Sequence, residues 1–181
     1  MNGFSNISID LMYGFPEECL NDWIDDVNMA ISLGVEHISA YSLMYEENTP
    51  LYNMLRNKDL DEIDEEVSRE MYDKLIDSLT AAGYQHYEIS NFAIPGYQSR
   101  HNSSYWKQMP YIGIGASAHS FDITSRQWNV ADINEYIKTI NTGKIPSEKE
   151  VLTEEMRYND TVFTSLRTSE GLDLNKLKEI Y

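Results

Sequence analysis

Apolar and polar residues alternate in two short segments that an amphipathic stretch separates. In SNISIDLMYGFP, apolar side chains occupy every second position from Ile7 to Leu11, and a glycine and a proline follow. This period of two predicts a strand. In EECLNDWIDDVNMAISLG, apolar residues recur every three or four positions from Leu20 to Ile31 before Gly34, which predicts a helix. EHISAYSLMY predicts a second strand, and a strand-helix-strand crossover implies parallel pairing.

The rest of the chain predicts more helices and two further extended runs. Apolar residues repeat every four positions from Ile63 to Leu79 and stop at Gly83, which predicts a long helix. EENTPLYNMLRNKDL reads as a polar loop with one helical turn, YQHYEISNFA as a third extended run, and YIGIGASAHSF as a fourth. Gly113 and Gly115 suit a close approach of backbone to backbone or ligand. The candidate N-caps of three further helices are Asp132, Thr153 and Asp173.

The fold class that these elements predict is α/β, as part of a barrel or an open sheet. Ligands in such folds collect at the carboxyl ends of the strands, where we place Asp10 and the loop after Leu43. Two parallel strands neither close a barrel nor bury both faces of a sheet, so the chain is expected to be incomplete at its front. A shift in composition near Pro146 predicts a domain boundary there.

The charge of the chain limits the classes of molecule that it is expected to bind. The sequence has 30 acidic against 14 basic residues and a formal charge of −16, which repels phosphate backbones and disfavours nucleic acid. No apolar run approaches the ~20 residues of a membrane span, and no signal peptide is recognisable at the start. These features predict a cytoplasmic protein without a membrane span.

Cysteine and histidine usage excludes several kinds of site. Cys19 is the single cysteine, so the chain forms no internal disulfide and no site with several thiolates of its own. The histidines lack the spacing of a zinc motif. No nucleophile occupies a recognisable strand-to-helix elbow, which argues against a hydrolase.

Four motifs in order resemble one protein family: DLMYGFP, HISAYSLMYEENTPLY, GYQHYEISNFAIPGYQSRHNSSYW and YIGIGASAHSF. They are similar to radical S-adenosylmethionine proteins related to oxygen-independent coproporphyrinogen III oxidase, and most closely to the heme-chaperone branch, the HemW type. The resemblance implies the C-terminal part of a partial (β/α)6 barrel with a heme-side extension over residues 1–145. The start of a small helical, winged-helix-like domain would follow over residues 146–181.

The family's defining motif, C-x3-C-x2-C, is missing from this chain. In the family its three thiolates bind a [4Fe–4S] cluster that leaves one iron for S-adenosylmethionine. Cys19 lies on a predicted helix and matches no ligand position. Because one thiol supports neither the cluster nor reductive cleavage, we expect a C-terminal fragment that is inactive alone. Whether the intact protein is an enzyme stays open.

The resemblance also implies binding residues on the S-adenosylmethionine side. Asp10 matches the aspartate that hydrogen-bonds this cofactor, and Met44 and His119 match positions of backbone contact. Each residue has a structural alternative. Asp10 could accept hydrogen bonds from local backbone donors, Met44 could be core filler that packs in the hydrophobic core, and His119 could be a structural histidine whose hydrogen bonds are satisfied within the protein.

HNSSYW matches an H-N-x-x-Y-W element of the heme-chaperone branch that is associated with heme. The matching residues are His101, Asn102, Tyr105 and Trp106. The neutral imidazole of His101 suits heme iron, the two aromatic rings suit a porphyrin face, and Arg100 suits a propionate. The alternative is that the aromatic rings fill core and His101 bonds a backbone carbonyl, which the residues alone would favour.

The resemblance implies a heme chaperone that receives heme and passes it to a respiratory heme protein. The alternative is an oxidase that decarboxylates coproporphyrinogen by hydrogen abstraction, and the H-N-x-x-Y-W element favours the chaperone. A domain with no independent activity is compatible with the first hypothesis. The sequence identifies neither the recipient nor the oligomeric state.

Overall fold

A computed structural model describes residues 3–181 of the chain. It comprises two compact units, of which the first ends at Ser99 and the second is Arg100–Tyr181. The elements of the first unit are β1 (Ser8–Tyr13), α1 (Leu20–Ser32), β2 (His37–Ser42), α2 (Pro50–Asn57), α3 (Glu65–Ala81), β3 (Gln85–Glu88) and β4 (Asn91–Ala93).

The four strands of the first unit form one mixed sheet in the order β1-β2-β4-β3. β1 and β2 pair in parallel from Ser8 opposite His37 to Tyr13 opposite Ser42, which confirms the prediction of a crossover. β4 pairs antiparallel with both β2 and β3. The parallel pair therefore continues into a hairpin at its β2 side, and β1 lies at the edge of the sheet.

Helices α1 and α3 cover one face of this sheet and form the core. Four of their side chains have no exposed surface: Trp23 on α1, and Met71, Leu75 and Leu79 on α3. Their spacing of four puts the α3 residues on one face of the helix, as the sequence predicts. From the sheet, Ile38 and Phe92 meet them. The Trp23 Nε1–H donates to the Met71 carbonyl over 2.9 Å, so the buried indole has its partner.

Three expectations for the first unit were wrong in detail. β1 runs on to Tyr13, so Asp10 lies in the middle of the strand instead of near its carboxyl end. YQHYEISNFA is a hairpin, not one run, because the Glu88 side chain accepts the Ser90 N–H in a turn that has no glycine or proline. The polar loop contains the eight-residue helix α2, whose N-cap Thr49 accepts the Tyr52 N–H.

The second unit combines a three-stranded sheet with four helices. Its elements are α4 (Arg100–Trp106), β5 (His119–Phe121), β6 (Ser125–Asn129), α5 (Ile133–Ile140), β7 (Ser147–Val151), α6 (Glu154–Leu166) and α7 (Leu174–Ile180). The sheet order is β5-β6-β7, with antiparallel neighbours. The predicted N-caps Asp132, Thr153 and Asp173 each accept backbone N–H groups and are confirmed.

The structure divides the chain at a different place from the boundary predicted near residue 145. β7 lies beyond that boundary and pairs with β6 before it, from Ser125 opposite Val151 to Asn129 opposite Ser147. These hydrogen bonds tie the chain on both sides of Pro146 into one sheet. Which function belongs to which part stays a prediction.

YIGIGASAHSF is mostly loop, so the prediction of a fourth extended run was wrong over most of its length. Only His119–Phe121 form a strand, and Tyr111 makes a single bridge to Phe121. The close approach expected at Gly113 is confirmed. A Cβ there would lie 2.1 Å from the His119 carbonyl oxygen, which is far inside van der Waals contact.

The two units differ strongly in charge. The first has 19 acidic and 4 basic residues, a formal charge of −15, whereas the second has 11 acidic and 10 basic residues, a formal charge of −1. Nearly all of the repulsion toward anions therefore originates in the first unit. Within residues 3–181, no helix has the length and apolar character needed to cross a membrane.

Candidate functional site

The HNSSYW segment forms most of the short helix α4. Residues four apart on a helix lie on the same face, so His101 is a neighbour of Tyr105, and Asn102 is a neighbour of Trp106. The two pairs lie on different faces because successive residues are rotated by about 100°. The helix therefore splits the four-residue element into two pairs with different surroundings.

His101 and Tyr105 form an exposed pair. The His101 Nε2 and the Tyr105 hydroxyl are 3.1 Å apart, and the ring centroids are 4.9 Å apart at 83°. On its other side Tyr105 meets Tyr111 edge to face at 4.9 Å. Burial raises the pKa of Tyr111, with a smaller contribution from Tyr105. His101 bonds a side-chain hydroxyl and not the backbone carbonyl that the structural alternative required.

Trp106 packs within the second unit. The Arg167 guanidinium carbon lies 4.7 Å above the centre of the indole ring, a cation–π contact. The Trp106 Nε1–H is buried and has no hydrogen-bond partner among the described residues. This arrangement matches the structural alternative for Trp106, in which the ring contributes to packing, while His101 and Tyr105 remain available to a ligand.

Asp10 lies on the sheet face opposite the core. Its neighbour in register on β2 is Ser39, which in turn faces Asn91 on β4, so these polar side chains form one row across the sheet. Asp10 is exposed. Its carboxylate is therefore open to solvent on this face and can accept hydrogen bonds from a ligand.

Met44 and His119 are both exposed. Met44 follows β2 and has 73% of its surface exposed, which rules out core filler. His119 begins β5, and its ring lies 6.3 Å from that of Trp128. Its carbonyl is the group that crowds Gly113. Asp10 and Met44 belong to the first unit, and His119 to the second.

The sequence did not single out His37, which the structure places in a buried hydrogen-bond chain. Its Nδ1 lies 2.8 Å from the Ser8 hydroxyl, and its Nε2 lies 2.8 Å from the Tyr87 hydroxyl. The Tyr87 hydroxyl also accepts the Ser99 N–H. Burial lowers the pKa of His37 below its usual 6.5, against the attraction of the Asp10 and Glu88 carboxylates. The one available signal was the pairing of His37 with Ser8, which only the strand register reveals.

The lowered pKa of His37 predicts that stability falls on mild acidification. The folded state disfavours the imidazolium, so below about pH 6.5 the unfolded chain binds more protons and the free energy of unfolding decreases. Denaturant unfolding from pH 8 to pH 5 measures this slope, which His37→Gln is expected to flatten. His119→Gln, an exposed histidine, is the control and should keep the wild-type slope. An unchanged slope in His37→Gln contradicts the prediction.

Comparison with known proteins shows what the chain is similar to. It is 38% identical over 181 residues to the heme chaperone HemW of Bacillus subtilis, a match that covers 99% of this chain and 48% of that protein. It is 35% identical to the heme chaperone HemW of Lactococcus lactis, covering 97% and 46%. Over nearly its whole length, the chain is therefore similar to proteins named heme chaperone HemW. No protein-family model matches the sequence.

The chain also shares its fold with a solved structure, that of the coproporphyrinogen III oxidase HemN from Escherichia coli, a radical SAM enzyme. The TM-score is 0.74 at 18% identity, over 98% of this chain and 44% of the other. This similarity confirms the α/β fold expected for the C-terminal part of the radical S-adenosylmethionine barrel. The chain spans about half the length of the HemW relatives that it matches.

The side chains present do not fit the iron–sulfur cluster of radical S-adenosylmethionine proteins. Cys19 is exposed at the N-cap of α1, and one thiol cannot replace three. Within residues 3–181, no three histidine, cysteine or acidic residues are grouped so that they could hold a metal ion. A single axial ligand to heme needs no such group, and the exposed imidazole of His101 has the right chemistry for it.

Proposed function

We propose that this chain provides the heme-binding part of a heme chaperone, which binds heme as cargo and passes it to a respiratory heme protein. The observation that carries the proposal is the exposed His101–Tyr105 pair on α4. The similarity to proteins named heme chaperone HemW, over nearly the whole chain, supports it.

The chemistry around α4 suits heme. His101 supplies a neutral nitrogen ligand, and the exposed ring of Tyr105, backed by Tyr111, offers an aromatic surface to a macrocycle. Heme carries two propionates, and the second unit has a formal charge of only −1. Arg100, exposed beside His101, is a candidate partner for one of them. Asn102 and Trp106 would support the helix from its other face.

S-adenosylmethionine and a [4Fe–4S] cluster belong to the same proposal only for a longer protein. When bound, such a cluster supplies the electron that cleaves S-adenosylmethionine. The thiolates must come from outside these 181 residues, since Cys19 stands alone. From the first unit of this chain, Asp10 would accept hydrogen bonds from S-adenosylmethionine, and Met44 would contribute a backbone contact.

The second candidate function is the oxidative decarboxylation of coproporphyrinogen III. The shared fold with the Escherichia coli oxidase favours it, but fold alone does not carry an activity. Heme chaperoning is the better supported of the two, because the relatives with that name match at about twice the identity.

A cytoplasmic location completes the proposal. The single free cysteine forms no internal disulfide, so nothing in the chain requires an oxidising compartment.

Titration of the chain with heme tests the proposed function. We expect saturable binding with a shifted Soret band, because the His101 imidazole changes the electronic state of the iron. Iron-free protoporphyrin serves as the control and should bind more weakly, since it lacks the metal. Mixing the loaded chain with an apo heme protein should then transfer the heme. Absence of saturable binding overturns the proposal, and preferential binding of coproporphyrinogen favours the second candidate.

A further inference from the structure

We infer that the Tyr105 hydroxyl masks the iron-binding nitrogen of His101 and must release it before heme is ligated. Tyr105 is then a positioning residue, which acts on the cargo through the histidine. The inference rests on the proposed function and adds to it a device for releasing heme as well as for binding it.

The geometry identifies which nitrogen is engaged. The Tyr105 hydroxyl lies 3.1 Å from Nε2 of His101, within hydrogen-bond distance. The other ring nitrogen, Nδ1, is bonded to the carbon that carries Cβ. A macrocycle approaching Nδ1 would therefore come close to the backbone of α4, whereas Nε2 is the ring nitrogen farther from the backbone. The nitrogen best placed for iron is the one that Tyr105 occupies.

Tyr105 is held in this position from two sides. It is one helical turn after His101, which fixes the separation of the two side chains. On its far side the edge-to-face contact with Tyr111, at 4.9 Å and 86°, restricts the ring. Tyr111 itself forms a backbone bridge to Phe121, so the support is attached to the β5 strand.

Hydrogen bonding and iron ligation at Nε2 exclude each other. If Nε2 accepts the phenol proton, its lone pair is already used. If Nε2 instead donates to the phenol oxygen, it carries a proton and has no lone pair for iron. In both tautomers the bond to Tyr105 must break before the iron–nitrogen bond forms. The same hydroxyl competes with the iron afterwards, which favours release of heme to an acceptor.

Tyr105→Phe tests the inference because it keeps the ring and removes the hydroxyl. Heme binding is expected to tighten about 2- to 10-fold, the range that corresponds to one hydrogen bond, and transfer to an apo acceptor should slow accordingly. Tyr158→Phe is the matched control, since it removes a hydroxyl from another exposed tyrosine of the second unit, on α6, and should leave both values unchanged. In a His101→Ala background, Tyr105→Phe should have no effect. Unchanged or weaker heme binding in Tyr105→Phe overturns the inference.

A second measurement distinguishes failure of the inference from failure of the proposed function. Diethyl pyrocarbonate modifies unprotected imidazole nitrogens, and mass mapping assigns the rate to His101 in the absence of heme. We expect Tyr105→Phe to raise this rate at His101 about 2- to 10-fold and to leave His119 as the internal reference. A raised modification rate without heme binding would support the masking of His101 by Tyr105 and would refute the proposal that heme is the cargo. An unchanged rate overturns the masking whatever the cargo is.

Discussion

His101→Ala is expected to abolish the iron-coordinated form of bound heme, with loss of the shifted Soret band and binding weakened at least about tenfold. The imidazole is the one exposed nitrogen ligand on α4, and a lost axial ligand changes both affinity and iron electronics. Heme titration followed by absorption spectroscopy measures both quantities. Because His101 is exposed, the thermal midpoint of the variant should stay close to that of the wild type.

His119→Ala is the control for this prediction. His119 is also an exposed histidine of the second unit, and its ring has only Trp128 as an aromatic neighbour among the described residues. Its removal should leave the heme spectrum as it is. A wild-type spectrum in folded His101→Ala would show that another residue ligates the iron, and parallel losses in both variants would indicate non-specific binding.

Trp23→Ala is expected to lower the free energy of unfolding by about 3–5 kcal/mol. Trp23 has no exposed surface, packs against Tyr13 with ring centroids 5.0 Å apart, and donates to the Met71 carbonyl. Its removal leaves a cavity between α1, α3 and the sheet and takes away a buried hydrogen bond. Urea unfolding monitored by circular dichroism measures the loss.

Met29→Ala on the same helix is the matched control. Met29 has 64% of its surface exposed, so its truncation should change the free energy of unfolding by less than about 0.5 kcal/mol. A loss below about 1 kcal/mol for Trp23→Ala would mean that the core of the first unit collapses around the missing ring.

The sequence predicted those elements that bury one face in the core and expose the other face. α3 was predicted because apolar residues every four positions face the core, and β1 was predicted because Ile9 and Leu11 face it while Asp10 does not. The parallel pairing followed from the crossover alone. In each case the local pattern and the tertiary environment require the same arrangement.

Strands β6 and β7 escaped prediction because neither has apolar residues confined to one face. β7, with the sequence SEKEV, is an edge strand with mostly exposed side chains, so it has no apolar alternation to detect. β6, with the sequence SRQWN, has a single large apolar residue. The boundary near Pro146 was predicted from a shift in composition, and this position is where the chain enters β7.

The geometry of the candidate site could not be predicted from the sequence. The resemblance of H-N-x-x-Y-W proposes His101 and Trp106 as site residues, and only the helix shows that they lie on different faces. Arg167 is 61 positions away from Trp106, and no local pattern connects them. His37 likewise depends on Ser8 and Tyr87, which three different strands bring together.

The edge position of β1 affects the behaviour of the chain in concentrated solution. In the described part of the chain no strand pairs with the outer side of β1, so its free N–H and C=O groups can template pairing with a second copy. Asp10 is the single charged side chain of β1. Its charge opposes that self-association, because two copies paired at this edge would bring like charges together. Neutralising Asp10 therefore promotes aggregation of the chain, independently of any effect on a ligand.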